Sequence, residues 1–427
     1  MTTAGPPSLA RRLGLFDATV IGLGSMIGAG IFASFAPAAA AAGAGLLIGL
    51  VIAAIVAYCN ATASAQLAAQ YPTSGGTYVY GRERLGEWPG FLAGWSFVIG
   101  KTASCAAMAL TFAAYAAPAG WGKPVAVVAV IALAAVNSFG ITRTAGLTRV
   151  IVVMVLAVLA LVVVAGLVGG LSGATGHPAD LGQGLVAHGW YGILQSAGLL
   201  FFAFAGYARI ATMGEEVKDP ARTIPRAILT ALAIVLVVYA LIAVTVLLII
   251  GPVRLATSAA PLVDVVTAGG WGWAAPIVRV GAAAAALGAL LALVAGVGRT
   301  SLAMARNRDL PTWLAVVHPK YKVPRHAELA LALVVAVLVL TVDLRGVIGF
   351  SSFGVLLYYV IANLSAHSQS RAQRRYPKAL QLVGAAGCLV LVATLPPAAI
   401  GVGIIVLVVG VALRFTRLRL ERARFTP

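Results

Sequence analysis

The residues with chemistry to offer are few, and apolar sequence surrounds them. One run, Gly22-Leu23-Gly24-Ser25-Met26-Ile27-Gly28-Ala29-Gly30-Ile31-Phe32, sets four glycines and a serine inside an otherwise apolar stretch. Glycine tolerates unwound backbone and lets a ligand approach closely, and a helix restarting after a break turns free N–H groups and a positive dipole end toward an anion. A carboxylate suits that position. A second run, Leu199-Leu200-Phe201-Phe202-Ala203-Phe204-Ala205-Gly206-Tyr207-Ala208-Arg209, places a small pair among aromatics. Unwound carbonyls there accept hydrogen bonds from an ammonium group, and Phe202, Phe204 or Tyr207 can cover it by cation–π contact. For both runs, helix packing through small or aromatic residues is the competing account. Lys101, in Gly94-Trp95-Ser96-Phe97-Val98-Ile99-Gly100-Lys101-Thr102-Ala103-Ser104, is an ammonium deep in a third apolar run. Its burial is costly, which makes it a candidate for coupling or for a charge in a pocket, against a structural tether to helix-end carbonyls.

These runs belong to long apolar segments. The chain has 427 residues, 61% of them hydrophobic and only 10% charged, where a soluble domain carries about 25% charged residues. The periodicity and turn signals predict spans at 15–39, 45–69, 89–117, 124–140, 148–170, 191–213, 226–250, 274–303, 327–342, 346–367, 379–396 and 398–415. The first follows Arg11 and Arg12 without a secretory cleavage site and reads as a retained helix. With the N-terminus inside, alternation puts Arg11, Arg12, Arg82, Arg84, Arg143, Arg149, Lys218, Arg222, Arg226, Lys320, Lys322 and the tail from Arg414 to Arg422 and Arg424 on the inner side, with Arg299, Arg306, Arg308, Arg325, Arg371, Arg374, Arg375 and Lys378. Outer segments hold only Lys123, Arg254 and Arg345. That asymmetry obeys the positive-inside rule and would be lost if one helix were omitted. The net charge of +18 is therefore topological and implies no nucleic-acid partner. An inner (plasma) membrane protein with both ends cytoplasmic is expected.

Cys59, Cys105 and Cys388 lie in apolar runs and form neither a disulfide framework nor a metal site. No HExxH, GxSxG or aspartate pair occurs at membrane depth, so no catalytic residue, metal or cofactor is implied. A filter or charge ring suited to a channel is equally missing from the pattern. Backbone cannot go unpaired in hydrocarbon, so a helix interrupted at mid-depth makes sense only beside a cavity. Interruptions in the first and sixth spans, each first in its half, point to an inverted-repeat transporter with its site at the repeat interface. The predicted architecture is all-α: residues 1–170 form the N-terminal tail and first five-helix repeat, 171–370 an inverted second repeat, and 371–427 two extra helices with a basic tail.

Leu15-Phe16-Asp17 with the glycine run through Phe32 resembles the opening helix of the amino acid, polyamine and organocation (APC) superfamily. Tyr71-Pro72-Thr73-Ser74-Gly75-Gly76-Thr77-Tyr78 is similar to its loop after helix two, and Gly214-Glu215-Glu216-Val217-Lys218-Asp219-Pro220-Ala221-Arg222-Thr223-Ile224-Pro225 to its loop after helix six. Gly296-Val297-Gly298-Arg299-Thr300-Ser301-Leu302-Ala303-Met304-Ala305-Arg306-Asn307-Arg308-Asp309-Leu310-Pro311 resembles the end of its helix eight. The resemblance implies a five-plus-five repeat working by alternating access. It assigns the substrate carboxylate to amides of the first break (Ser25, Met26, Ile27, Gly28, Gly30). It assigns the α-ammonium to carbonyls of both breaks (Ile21 and Gly24; Ala203, Phe204 and Gly206), with Phe202 as the gate. Where many relatives carry a glutamate two residues after the helix-six glycine, this chain has Ala208 and then Arg209, so that proton-linked role does not transfer.

Arg209 is placed to reach Glu215 or Glu216 as a gate pair, and Asp17 suits either a helix start or an inner gate. Arg279 reads as a snorkelling side chain. Residues 277–298 contain no serine or threonine, while sodium-coupled relatives supply hydroxyl ligands in that span, so proton coupling or exchange is expected. Lys101 disfavours cationic substrates. A neutral or small amino acid leads, an acidic one is admissible through Lys101, and the alternatives are a polyamine or organic anion transporter, a channel or an intramembrane enzyme.

Overall fold

Helices fill the chain between turns set by its glycines and prolines. The computed structural model describes residues 12–72, 75–139, 145–171, 184–321 and 323–425; Arg11, Thr73, Ser74, Arg143 and Lys322, and the side chains of Arg422 and Arg424, lie outside what is described. The opening span divides into α1 (Leu15–Met26), α2 (Ala29–Ala33) and α3 (Phe35–Ala42). At its start the Gly14 N–H donates to the Asp17 carboxylate at 3.4 Å, an acid in the first turn where the helix dipole favours it. α1 stops because Gly28 takes ψ −134°, outside the helical region. Ser34 interrupts far less: its N–H donates to the Gly30 carbonyl at 2.9 Å and its own carbonyl accepts from Ala38 at 3.1 Å. α2 and α3 thus run as one bent helix to Gly43, whose φ of +56° ends it.

There follow α4 (Leu46–Gln70), α5 (Gly76–Leu85), α6 (Glu87–Ala116), α7 (Gly122–Ser138), α8 (Ala145–Leu171) and α9 (Gly189–Phe204). After a tight 3-10 turn at Ala205–Tyr207 come α10 (Ala208–Ala211), α11 (Pro220–Thr257), α12 (Pro261–Ala268), α13 (Ala275–Arg306), α14 (Arg325–Thr341), α15 (Leu344–His367), α16 (Lys378–Thr394) and α17 (Pro397–Phe425). Among the described residues nine helical stretches are long and apolar enough to cross a membrane, and Gly122–Ser138 and Lys378–Thr394 are shorter apolar helices. The chain is a multi-pass membrane protein. α5 and α12 were not expected; both are short, and α5 is too charged to register as an apolar segment. α11 outruns its predicted span because it continues past a kink at Gly251, where φ is +72° and Pro252 follows.

The broken segments lie at the centre, with α1 against α8 and α11, and α9 against α3, α4, α15 and α16. α6 packs along α13 and α15. On the outside, Val150, Val153 and Leu167 of α8 and Ile405, Val409 and Leu413 of α17 are exposed, as suits hydrocarbon rather than water. At the N-terminal face the main-chain N–H groups of Arg12 and Leu13 donate to the Glu216 carbonyl at 3.0 and 3.1 Å, and Lys218 returns a bond to Leu13 at 2.9 Å. The segment before the first break is thereby tied to the loop after the second.

The same face carries a buried ionic cluster. Asp309, after α13, accepts from Tyr78 at 2.7 Å, Arg82 at 3.0 Å and Arg414 at 2.8 Å. Arg414 also lies over the rings of Trp88 and Phe91, at 4.3 and 4.9 Å. Burial raises the Tyr78 phenol above its ordinary range, so it remains a donor to the carboxylate. The last helix is pinned here to α5 and to the end of α13.

Candidate functional site

Between the broken segments, α6 and α13 lies a cavity of about 730 Å³, within the range of small-molecule sites, roughly 300–1,000 Å³. Its deep end is formed by Ser25, Lys101, Ser104, Met108, Phe202, Ala205 and Gly206. Toward the N-terminal face it is lined by Arg12, Arg209, Glu215, Glu216, Arg299 and Arg306. The opposite end is shut by packing. There the Tyr115 hydroxyl donates to the Phe32 carbonyl at 3.2 Å, the two rings meet edge-on at 5.6 Å, and Arg279 donates to the Tyr115 carbonyl at 3.0 Å. Arg279, itself exposed, thus caps the end of α6.

The two interruptions meet directly. A Cβ on Gly206 would lie 2.3 Å from the Ser25 carbonyl oxygen and 2.6 Å from the Met26 nitrogen; one on Gly30 would lie 2.7 Å from the Ala203 Cα. Only glycine permits these approaches of backbone to backbone. The Tyr239 hydroxyl of α11 bridges them, 2.6 Å from the Met26 carbonyl and 3.0 Å from that of Ala203, donating its single proton to one at a time. Lys101 donates to the Ala205 carbonyl at 3.3 Å. The carbonyls of Met26, Ala203 and Ala205 thus face side-chain donors from α11 and α6, the kind of compensation that irregular backbone at mid-membrane needs.

The model matching this sequence across residues 13–418 is that of the amino acid permease family. The chain belongs to that family. The permease is 60% identical to an uncharacterised transporter of Mycobacterium tuberculosis over 95% of its own length and 91% of the relative's. It is 30% identical to the chloroplastic cationic amino acid transporter 7 of Arabidopsis thaliana over 83% of this chain and 65% of that one. It is 27% identical to the branched-chain amino acid permease of Bacillus subtilis over 90% and 86%. It is a transporter and not an enzyme, and its APC resemblance stands.

Of the residues singled out from the sequence, Ser25, Lys101, Phe202, Gly206, Arg209, Glu215 and Glu216 line the cavity. Ile21 and Gly24 sit in regular helix, and the Ile21 carbonyl accepts from the Ser25 hydroxyl at 2.9 Å. Met26, Ile27, Gly28 and Ala203 are buried at the crossing without lining the cavity, and Phe204 packs on Tyr239 with ring centroids 5.1 Å apart. Asp17 pairs with Arg149 of α8 at the start of α1, apart from the cavity. Arg209 shares the cavity wall with Arg299, Glu215 and Glu216. Tyr239, Ser104 and Arg299 escaped the sequence reading. Arg299 lay inside the helix-eight motif, whereas Tyr239 gives no signal beyond a lone hydroxyl in the run Val238-Tyr239-Ala240. Ser104, bonded to Ser351 of α15 at 2.7 Å, gives no signal beyond its neighbourhood to Lys101.

Proposed function

We propose that this permease moves a small amino acid, neutral or acidic but not cationic, across the plasma membrane by alternating access. The observation that carries the reading is the contact of Gly206 with Ser25 and Met26 beside a cavity whose lining runs to Arg12 and Arg306 at one face, while Tyr115 and Phe32 pack together toward the other. That is the form of a transporter open to one side. With both termini cytoplasmic, as the basic loops favour, the open side is the inner one. Twelve spans in a five-plus-five inverted repeat, with two further helices at the end, account for the placement of the breaks.

In this reading the backbone about Ser25 to Gly30 receives the carboxylate, Phe202 closes over the solute, and Arg209 with Glu215 and Glu216 shapes the inner mouth. Relatives are named for cationic and for branched-chain amino acids, so names alone do not choose. Lys101 at the deep end and Arg209 and Arg299 above it weigh against a cationic side chain. Coupling runs to protons or to exchange: Lys101 is the cation at the deep end of the cavity, and α13 presents no hydroxyl for sodium over residues 277–298. Counterflow in proteoliposomes tests it. Saturable, accelerated exchange of labelled amino acid that is indifferent to sodium supports the proposal; no exchange with any amino acid refutes it.

A further inference from the structure

We infer that the solute carries a second carboxylate on its side chain and that Lys101 selects it, making this a permease for acidic amino acids. The inference rests on the reading of the cavity as the amino acid site and names the substrate class of that site. Lys101 lies midway along α6, is 6% exposed and lines the deep end of the cavity. It donates a hydrogen bond to a neutral acceptor, the Ala205 carbonyl at 3.3 Å. Among the described residues no carboxylate lies within ion-pair distance of it.

An ammonium has three donors, and leaving it buried without an opposite charge is among the most expensive arrangements a membrane protein can hold. The two carboxylates on the cavity wall, Glu215 and Glu216, belong to the loop after α10 at the mouth, not to the deep end. Arg209 and Arg299 lie along the route inward and extend the same sign of potential. Past Glu215 and Glu216 at the mouth, a carboxylate moving inward meets Arg209 and Arg299 and finds at the deep end the ammonium of Lys101. An ammonium or guanidinium side chain meets repulsion along the same path, and a neutral amide gains no charge pairing. The Ala205 bond holds the Lys101 amine beside the crossing of the two breaks. One carboxylate of the solute is then at the first break while the other reaches Lys101, a pairing that glutamate or aspartate supplies and that glutamine or asparagine does not.

The test is counterflow in proteoliposomes of the full-length protein, comparing L-glutamate and L-aspartate with their amides, with L-alanine and L-lysine, and with succinate, which has two carboxylates and no ammonium. Wild type should exchange glutamate or aspartate with a KM roughly 10- to 100-fold below that of the matching amide, the range expected of one buried charge-assisted pair. Lys101→Met should abolish that ratio and Lys101→Arg should restore it. If Lys101→Met does not fold, the ratio of glutamate to glutamine in wild type decides alone. Exchange of amides or alanine in preference to glutamate and aspartate, or of succinate with glutamate excluded, overturns the inference while leaving a transporter in place. No exchange of any amino acid overturns the permease site and the inference with it.

Discussion

Two helices lose regular winding beside the cavity, and they lose it differently. At Gly28 the backbone leaves the helical region, and α1 is separated from α2 by residues 27–28. At Ala205–Tyr207 the chain only tightens to 3-10 and then resumes as α10. Around the second interruption the loosened carbonyls already face protein donors, Tyr239 at Ala203 and Lys101 at Ala205. Around the first, that of Met26 shares Tyr239. The second break behaves as a braced floor and the first as the more open backbone. The difference shows how one membrane protein keeps irregular peptide at mid-depth, by supplying the missing donors from side chains on α6 and α11.

Substitutions can break or sharpen this contrast. Gly206→Val should have the largest effect, since its Cβ would stand 2.3 Å from the Ser25 oxygen and main chain has nowhere to retreat. Exchange in proteoliposomes should fall by more than about 100-fold, with a thermal midpoint lowered in proportion to overpacking of ~1–3 kcal/mol or more. Gly28→Ala is the counterpart at the first break: its Cβ would meet one side-chain methyl, the Ala289 Cβ of α13, at 2.7 Å, where one on Gly206 meets main-chain atoms of both Ser25 and Met26. A loss of exchange on the order of tenfold is expected; an effect equal to that of Gly206→Val would erase the distinction between the two breaks.

Tyr239→Phe comes next. Removing the shared donor leaves the Met26 and Ala203 carbonyls without it, at a cost of about 1–3 kcal/mol, read as a lower melting temperature. Ser25→Ala should be the mildest, because that hydroxyl turns back to the Ile21 carbonyl within its own helix. Stability should change by no more than ~0.5 kcal/mol, and a larger fall in exchange than in stability would mark the hydroxyl as a contact of the solute.

Much of the fold was legible because hydrocarbon imposes a strict code: α6 was expected over 89–117 and spans Glu87–Ala116, and α16 was expected over 379–396 and spans Lys378–Thr394. Interruption at the glycine run was legible too, since four glycines in nine residues weaken a helix where they cluster. What the linear pattern does not carry is which residue opposes which across the bundle. Ile21 and Gly24 were placed at the site by resemblance, yet one helical turn of regular winding keeps them off the cavity wall. Asp17 suits a helix start or a gate by sign and depth, but no local pattern points to its partner, Arg149 of α8, far along the chain. Tyr239 acquires its role only from the packing of α11 against both breaks, because a single hydroxyl in an apolar span has no periodicity to betray it.

The central claim is that the crossing of the two breaks is where the solute binds. Its most direct test places Ser25→Cys in a background with Cys59, Cys105 and Cys388 replaced, and follows labelling by a membrane-impermeant thiol reagent applied to each face of oriented vesicles. The account predicts labelling from the face that carries Arg12 and Arg306, slowed by the transported amino acid in proportion to its occupancy. Labelling unaffected by a saturating transported solute, or arriving from the opposite face alone, would contradict it.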